Sequence, residues 1–306
     1  MTPEAEASMG FVGVSTGQSS IMKVFPEWAR VLGLPASRLT GFDLPLDAGR
    51  DQYREVVERI RRDPLLPGAL ITTHKIGVHR AAAELFDELD EFATLCGEIS
   101  SVSKRDGRLI GHAKDPVTAG LALEEFLAPD HFASTGGELL CLGAGGAGTA
   151  IIWYLARRPD SPRRIVCTDR SAERLAELTA VLERGGVGTD QLRTVVADGP
   201  ADSLVAELPE GSVVVNATGL GKDRPGSPLS PDVRLPRLGV AWELNYRGSL
   251  DFLHTARAQA ASRELIVVDG WRYFIHGWSQ VIAEVFGLSL DSATVDRLAE
   301  AAEAVR

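Results

Sequence analysis

The sequence has several shortages, and each excludes a class of protein. Basic residues are not in excess, because 42 acidic side chains against 32 basic ones give a net charge of −10. Such a surface repels a phosphate backbone, so we expect no nucleic-acid partner. No stretch approaches the roughly 20 apolar residues of a membrane span. The acidic N-terminus lacks the basic start and apolar centre of a secretion signal. We therefore expect a cytoplasmic protein with no membrane partner.

Cysteine and histidine are scarce and irregularly spaced. The three cysteines, Cys96, Cys141 and Cys167, have no CxxC spacing, and the six histidines do not follow the spacing of metal ligands. This pattern is typical of a reduced protein without structural disulfides or a cysteine-built metal site. We expect no metal cofactor.

The chain alternates strand-like and helix-like segments. Its 306 residues, 44% of them hydrophobic, suit about two globular domains. In the N-terminal part we expect strands near 10–14, 39–44, 68–73, 100–104 and 108–112, with helices near 20–32, 47–63 and 78–85. Further strands are expected near 139–142, 163–169, 193–197, 213–217, 240–244 and 265–268, with helices near 121–127, 172–184, 250–261, 273–286 and 292–306. The alternation favours an α/β fold with mainly parallel sheets.

The clearest motif is a glycine loop. An apolar strand leads directly into Gly143-x-Gly145-x-x-Gly148, and an apolar helix follows. A dinucleotide site needs this order, since glycines allow a tight turn, close approach of a pyrophosphate and close helix–sheet packing. The helix N-terminus adds free N–H groups and a partial positive charge. The next strand ends at Asp169, 21 residues after Gly148, near the spacing of a ribose-binding acid. We predict a bound dinucleotide; the alternative is an ordinary strand–turn–helix.

Four segments occur along the chain in an informative order. They are Ile71-Thr-Thr-His-Lys75, Asp106-Gly-Arg-Leu-Ile-Gly-His-Ala-Lys-Asp115, the glycine loop and Asn216-Ala-Thr-Gly-Leu-Gly221. Together they resemble the shikimate dehydrogenase family, which Tyr246 and Gly270 match more weakly. The resemblance covers nearly the whole chain.

This resemblance implies a two-domain α/β fold and a catalytic pair. Residues 1–118, completed by the C-terminal helices at 273–306, would form a substrate-binding and catalytic domain. Residues 119–272 would form a Rossmann, doubly wound dinucleotide domain. The family's catalytic Lys and Asp map onto Lys75 and Asp115. Hydride transfer to a ketone leaves an alkoxide, and an ammonium within hydrogen-bond reach can protonate it. Taken alone, Lys75 could be a solvated strand end and Asp115 a helix N-cap before Pro116.

The resemblance also implies the remaining contacts. The expected cofactor contacts are Gly143, Gly145, Gly146, Ala147, Gly148, Asp169, Arg170, Asn216, Ala217, Thr218 and Gly270. The expected substrate contacts are Ser19, Thr73, Ser100, Ser101 and Tyr246. The partner is expected to be a small-molecule substrate, and a homodimer is left open.

The chain departs from the family where the family binds its substrate. The family's Ser-x-Ser pair falls on Gly17 and Ser19, its Asn-Thr pair on Ser100 and Ser101, its second Asn-Thr on Ala113 and Lys114, and its C-terminal Gln on Gly277. Each lost hydrogen-bond partner costs a polyol ligand roughly 0.5–3 kcal/mol. We therefore predict a cyclic, shikimate-like carboxylate other than shikimate or quinate.

Three unusual side chains extend this prediction. Trp271, His276 and Trp278 indicate either a cavity richer in aromatic rings or ordinary helix packing. The charge of Lys114, beside the catalytic Asp, is a candidate replacement for a lost carboxylate anchor.

Cofactor choice depends on Asp169-Arg170-Ser171, where NADP-using members have Asn-Arg-Thr. A carboxylate at 169 suits a ribose diol and repels a 2′-phosphate, whereas Arg170 can pair with that phosphate. We predict NAD, with NADP as the alternative.

Two other functions are compatible with the same frame. One is a dehydrogenase of another substrate class, such as the folate- or methanopterin-linked enzymes. The other is a dinucleotide-binding sensor without catalysis, which the retention of both Lys75 and Asp115 disfavours.

Overall fold

The computed structural model describes residues 7–222 and 224–305, which form two compact units. The first unit contains the described residues up to Lys114 together with those from Ile275 onwards, and the second is Asp115–Phe274. Each unit has its own six-stranded sheet. The predicted two-domain α/β class is confirmed.

The division between the units differs slightly from the expected one. It falls after Lys114 rather than after residue 118, because Asp115 already begins a helix that packs in the second unit. At the other end it falls after Phe274, inside the continuous helix Trp271–Phe286. The assignment of substrate binding to one unit and dinucleotide binding to the other stays a prediction.

The first unit carries a mixed sheet. Its strands are β1 (Met9–Gly13), β2 (Leu39–Asp43), β3 (Gly68–Ile71), β4 (Glu88–Leu89), β5 (Ser101–Arg105) and β6 (Arg108–His112). Its helices are α1 (Ile21–Leu32), α2 (Arg50–Arg62), α3 (Lys75–Ala82) and α4 (Glu91–Cys96), with short 3₁₀ helices at Thr16–Gln18 and Ala83–Leu85. The sheet order is β2-β1-β3-β5-β6-β4. The strand β1 runs parallel to β2 and β3, whereas β5 pairs antiparallel with both β3 and β6.

A tight hairpin explains the antiparallel pairing of β5 with β6. Asp106 and Gly107 join β5 to β6 with φ values of 51° and 76°. A two-residue turn with both φ angles positive matches the right-handed twist of its strands. The expected turn is therefore confirmed at those two residues.

The second unit carries a fully parallel sheet. Its strands are β7 (Leu139–Leu142), β8 (Ile165–Asp169), β9 (Leu192–Val196), β10 (Val213–Asn216), β11 (Val240–Glu243) and β12 (Ile266–Val268). Its helices are α5 (Asp115–Glu124), α6 (His131–Thr135), α7 (Gly146–Arg157), α8 (Ala172–Arg184), α9 (Asp202–Ala206) and α10 (Asp251–Arg263). Two helices end the described chain, α11 (Trp271–Phe286) and α12 (Ser292–Glu303).

The strand order β12-β11-β10-β7-β8-β9 is that of a doubly wound sheet. Residues alternate between its two faces, so Leu139 and Cys141 lie in one apolar core while Leu140 and Leu142 lie in another. Burial on both faces explains why the sequences of these strands are unbroken apolar runs. The order reverses between β7 and β10, so a crevice is expected beyond the carboxyl ends of those two strands.

Some elements differ from the sequence prediction. The helix α3 begins at Lys75 rather than at 78, and α5 begins at Asp115 rather than at 121. Seven of the ten residues of α5 are buried, so it has no polar face to give a helical period. The short elements β4, α4 and α6 were not expected, since two to six residues are too few to show a period.

Candidate functional site

The turn between β7 and α7 has the geometry of a phosphate-binding loop. Gly143 has φ 108°, and a Cβ there would lie 2.7 Å from the carbonyl oxygen of Ala217. A Cβ on Gly148 would lie 2.1 Å from the carbonyl oxygen of Gly143. A Cβ on Gly145, the N-cap of α7, would meet no described atom within 4 Å beyond its own chain neighbours. Two glycines are thus required by packing, and the third faces open space at a helix N-terminus.

Asp169 fixes this turn from the end of β8. Its Oδ2 accepts the N–H of Ala144 at 2.9 Å, and its Oδ1 accepts the N–H of Ser171 at 2.9 Å. Its side chain keeps 11% of its surface exposed. The expected ribose-binding acid therefore also holds the glycine turn in place.

Two arginines lie beside Asp169. Arg170 is exposed, as expected for the residue that follows the strand. The Arg174 Nη1 lies 4.0 Å from Asp169 Oδ2 and its side chain is 65% exposed. The sequence analysis missed that Arg174 lies near Asp169, because Arg174 falls inside a helical pattern. The available signal was its position one turn after the N-cap Ser171.

The segment after β10 meets the glycine turn. The N–H of Ala217 donates to Leu142 at 2.7 Å, which places Ala217 directly against Gly143. Asn216 is fully buried, and its Oδ1 accepts both the N–H of Thr218 at 3.1 Å and the Thr218 hydroxyl at 2.7 Å. The structure thus brings Gly143 and residues 216–218 together at the reversal of strand order.

Sequence reasoning missed a buried acid at the end of β11. The Glu243 carboxylate accepts the side-chain N–H of Asn216 at 2.7 Å and the N–H of Asn245 at 2.8 Å. Burial raises the pKa of Glu243 to about 7. The available signal was a single Glu that ends an otherwise apolar strand.

Gly270 and Tyr246 lie on neighbouring turns. A Cβ on Gly270 would lie 2.0 Å from the carbonyl oxygen of Leu244, so the two turns are in backbone contact. The Tyr246 ring packs on Phe274 at 4.6 Å and on Trp271 at 5.6 Å between centroids. Trp271 and Phe274 stack on each other at 4.9 Å. Trp271, one of the unusual aromatics, is thus part of a packed cluster.

Lys75 is the first residue of α3 and is half-buried. Its carbonyl accepts the N–H of Ile99 at 3.1 Å, which places it beside the segment that contains Ser100 and Ser101. Thr73, two residues earlier, is exposed. The structure thus brings Lys75 and this pair of expected substrate contacts to the same edge of the first sheet.

His74 anchors the backbone beside Lys75. Its Nδ1 lies 3.0 Å from the Tyr53 hydroxyl, and its Nε2 lies 3.1 Å from the carbonyl of Leu44. A carbonyl only accepts, so Nε2 carries the proton and Nδ1 accepts from Tyr53. Burial lowers the pKa of His74, which keeps the ring neutral.

The expected substrate serines differ in availability. The Ser100 hydroxyl accepts the N–H of Lys114 at 2.8 Å, so it already supports the chain before Asp115. The Ser101 hydroxyl is buried and has no hydrogen bond within the described chain. Ser19 is half-buried at the end of the 3₁₀ helix at 16–18.

Lys114 is paired with an acidic side chain of the protein. Its Nζ lies 2.5 Å from Glu284, which Arg105 also contacts at 2.6 Å. These cations lower the pKa of Glu284 against the opposing effect of its burial. Lys114 therefore does not point freely into solvent, and since it shares Glu284 with Arg105, its role as a replacement for a lost carboxylate anchor stays a prediction.

Two further residues named from the sequence, Asp115 and Trp278, are both buried. Asp115, the first residue of α5, is buried and belongs to the second unit, whereas Lys75 belongs to the first. Trp278 packs edge-on against Phe11 at 4.9 Å, which agrees with the packing interpretation of that side chain.

Comparison with known proteins identifies the family. The model of the saccharopine dehydrogenase NADP binding domain matches residues 139–221. The shikimate dehydrogenase (NADP(+)) of Symbiobacterium thermophilum is 30% identical over 77% of this chain and 74% of its own. The chain belongs to the shikimate dehydrogenase family.

Two further relatives support this family. The shikimate dehydrogenase (NADP(+)) of Lactococcus lactis is 31% identical over 59% of this chain, a match that spans 62% of the relative. The Thermus thermophilus shikimate 5-dehydrogenase, solved with NADP(H) and shikimate, is 25% identical with a TM-score of 0.72, covering 98% of this chain and 100% of that one. The predicted family and reaction class, an NAD(P)-dependent dehydrogenase, are thereby confirmed.

Within residues 7–222 and 224–305, no helix combines the length and apolar character of a membrane span.

Proposed function

We propose that this protein transfers a hydride between a nicotinamide dinucleotide and a ring hydroxyl or ketone of a cyclic, shikimate-like carboxylate other than shikimate. The observation that supports this most strongly is the glycine turn, where Gly145 is open and its two partner glycines are tightly packed. That arrangement fits a pyrophosphate placed at the N-terminus of α7. The family membership supplies the reaction class.

The proposed proton transfer uses Lys75 and Asp115. When bound, the dinucleotide supplies or accepts the hydride. The Lys75 ammonium donates a proton to the developing alkoxide in reduction, and its neutral form accepts one in oxidation. The Asp115 carboxylate orients that ammonium. Support comes from the two positions, the start of α3 and the start of α5, where the family's catalytic residues map.

The dinucleotide is proposed to be NAD in preference to NADP. The relatives are named for NADP, and Arg170 with Arg174 offers cations for a 2′-phosphate. The opposing effect is Asp169, whose charge lies at the ribose end of the turn. Because a carboxylate repels a 2′-phosphate and accepts hydrogen bonds from a ribose diol, we give Asp169 the larger weight.

The remaining cofactor contacts follow from the turns already described. Residues 143–148 would hold the pyrophosphate, and Asn216, Ala217 and Thr218 would line the nicotinamide half. Gly270 would approach the ring from the start of α11.

The substrate proposal excludes shikimate because of what replaces the family's polar groups. Gly17 offers no hydroxyl, Ser100 stands where the family has Asn, and Lys114 stands where it has Thr. A ligand that needs hydrogen bonds at those positions leaves its own hydroxyls unpaired, at roughly 0.5–3 kcal/mol each. The proposed substrate contacts are Ser19, Thr73, Ser100, Ser101 and Tyr246.

A substrate screen tests this proposal. Purified protein is assayed with both oxidised dinucleotides against shikimate, quinate and a panel of cyclitols and cyclohexene carboxylates, following reduced nicotinamide. We expect turnover on a panel member and little on shikimate. Efficient turnover of shikimate with a submillimolar Michaelis constant would contradict the substrate proposal. Dinucleotide binding without turnover of any compound, unchanged in Lys75→Ala, would favour a sensor.

A further inference from the structure

The buried carboxylate of Glu243 has no part in the proposed chemistry. Glu243 is the last residue of β11, and none of its surface is exposed. Within residues 7–222 and 224–305, hydrogen bonds rather than an ion pair stabilise its ionised carboxylate. Burying a carboxylate without a cation is strongly unfavourable unless its oxygens are well bonded. Its place at the carboxyl edge of the parallel sheet therefore requires an explanation.

One carboxylate oxygen sets the orientation of Asn216. The Oε2 of Glu243 accepts the Asn216 side-chain N–H at 2.7 Å. An ionised carboxylate only accepts hydrogen bonds, so the amide must turn its nitrogen towards Glu243. Its Oδ1 is then left to accept the N–H and the hydroxyl of Thr218. Glu243 thereby fixes the turn at residues 216–218.

The other oxygen holds the next turn. The Oε1 of Glu243 accepts the N–H of Asn245 at 2.8 Å, immediately before Tyr246. The Asn245 side chain then donates to the carbonyl of Leu220 at 2.9 Å. The N–H of Leu250 donates to Gly221 at 3.0 Å. The two segments 216–221 and 244–250 are therefore tied together, with Glu243 beneath both.

We infer that Glu243 is a positioning residue, whose buried carboxylate sets the turn proposed to face the nicotinamide half and, at the same time, the turn that carries Tyr246. The inference rests on the proposed function, since both turns matter only if a dinucleotide binds beside them. Only the ionised group can accept fully at both oxygens, because a proton converts one of them into a donor.

This arrangement makes dinucleotide binding depend on pH. Burial raises the pKa of Glu243 to about 7, so its protonation changes near neutrality. Charged groups on adjoining segments have other contacts: Asp269 lies 3.9 Å from Arg257, and the Lys222 ammonium lies 5.9 Å from the Tyr246 ring centroid. We expect binding to weaken as pH falls through about 7 and to level off above it.

The test is a direct titration with NADH, and with NADPH at a single alkaline pH. NADH suits the pH series because it lacks the 2′-phosphate, a group whose second pKa is about 6. The variant is Glu243→Gln. The control is Glu138→Gln, since Glu138 is also buried but precedes β7 at the opposite end of the sheet, where it pairs with Arg164 at 2.6 Å.

For Glu243→Gln we expect a dissociation constant about tenfold higher than that of the wild type, and a flat pH profile between about 6 and 8. Glu138→Gln should melt at a lower temperature yet keep the wild-type dissociation constant and profile. Equal affinity and an unchanged profile in Glu243→Gln, with only a lower melting temperature, would overturn the inference.

Two further results are decisive. If Glu243→Gln does not fold, the wild-type profile decides, because a dissociation constant that stays constant from about pH 6 to 8 overturns the inference. If the wild-type protein binds neither dinucleotide, the proposed function itself fails and the role of Glu243 fails with it.

Discussion

The carboxyl edges of the two sheets use their polar groups differently. In the second unit, the glycine turn leaves the Gly145 position open while neighbouring atoms of the protein hold the turn from beneath. In the first unit, Ser100 and Lys114, two positions where the family has substrate-binding groups, are engaged by other residues of the protein. The turn proposed to hold the dinucleotide is thus open at Gly145, whereas two positions discussed for substrate binding already have partners within the protein.

The largest expected effect would come from removing the proposed proton donor. Lys75→Ala should lower turnover by on the order of 10²–10⁴-fold, because positioned proton transfer contributes about that much. The dissociation constant for the dinucleotide should stay unchanged, since Lys75 lies in the first unit. Steady-state kinetics with an active panel substrate, together with NADH titration, would check this.

The matched control is Lys23→Ala, a lysine on the exposed surface of α1. Turnover by Lys75→Ala within a factor of three or so of the wild type would show that the family's catalytic role does not apply to this chain.

The next effect concerns a glycine needed for packing. Gly148→Ala would place a Cβ 2.1 Å from the carbonyl of Gly143, which α7 can relieve only by moving away from the turn. We expect a loss of about 1–3 kcal/mol in the free energy of unfolding, together with weaker dinucleotide binding. Chemical denaturation measures the first quantity. Gly188→Ala, at an open glycine, is the control and should cost less than about 1 kcal/mol.

A smaller effect is expected at the ribose end of the turn. Asp169→Asn keeps one acceptor oxygen for the N–H of Ala144 or Ser171 but removes the charge that opposes a 2′-phosphate. The ratio of the NADPH to the NADH dissociation constant should fall roughly tenfold. Parallel titrations with both reduced dinucleotides would measure it. An unchanged ratio would mean that the arginines, rather than Asp169, decide the preference.

The smallest expected effect is a pH dependence in the first unit. Burial lowers the pKa of His74 from 6.5, so below that pH the unfolded chain binds a proton that the folded protein refuses. His74 therefore makes stability fall as pH drops below about 6.5. In His74→Asn this component should disappear from melting curves recorded between about pH 5 and 8. Tyr53→Phe, which loses one hydrogen bond to the ring, should cost about 1 kcal/mol yet retain a pH dependence of the same sign.

The features that could be predicted from the sequence are those set by local backbone geometry and by burial. The glycine turn and the parallel sheet were predictable, because φ angles and close backbone contacts restrict the residue type at Gly143 and Gly148. The strands β7, β8 and β10 were predictable because burial on both faces demands apolar runs.

Other features depend on partners that are distant in sequence. Lys114 is paired with Glu284, which lies 170 residues away, and no local pattern predicts that pair. Glu243 is similar, since its importance appears only when β10 and β11 place Asn216 opposite it. The start of α3 at Lys75 was not predicted, because the expected strand 68–73 included two residues of the turn that follows Ile71.

The most direct test of the central claim, that the glycine turn holds a dinucleotide, is the affinity of Gly145→Ala for NADH. The Gly145 backbone has φ −75°, which alanine adopts without strain, and a Cβ there meets no described atom within 4 Å. We expect the variant to melt within about 1 °C of the wild type while its dissociation constant rises at least about tenfold, because the methyl group occupies the place of the pyrophosphate. A variant that binds NADH as tightly as the wild type would contradict the account.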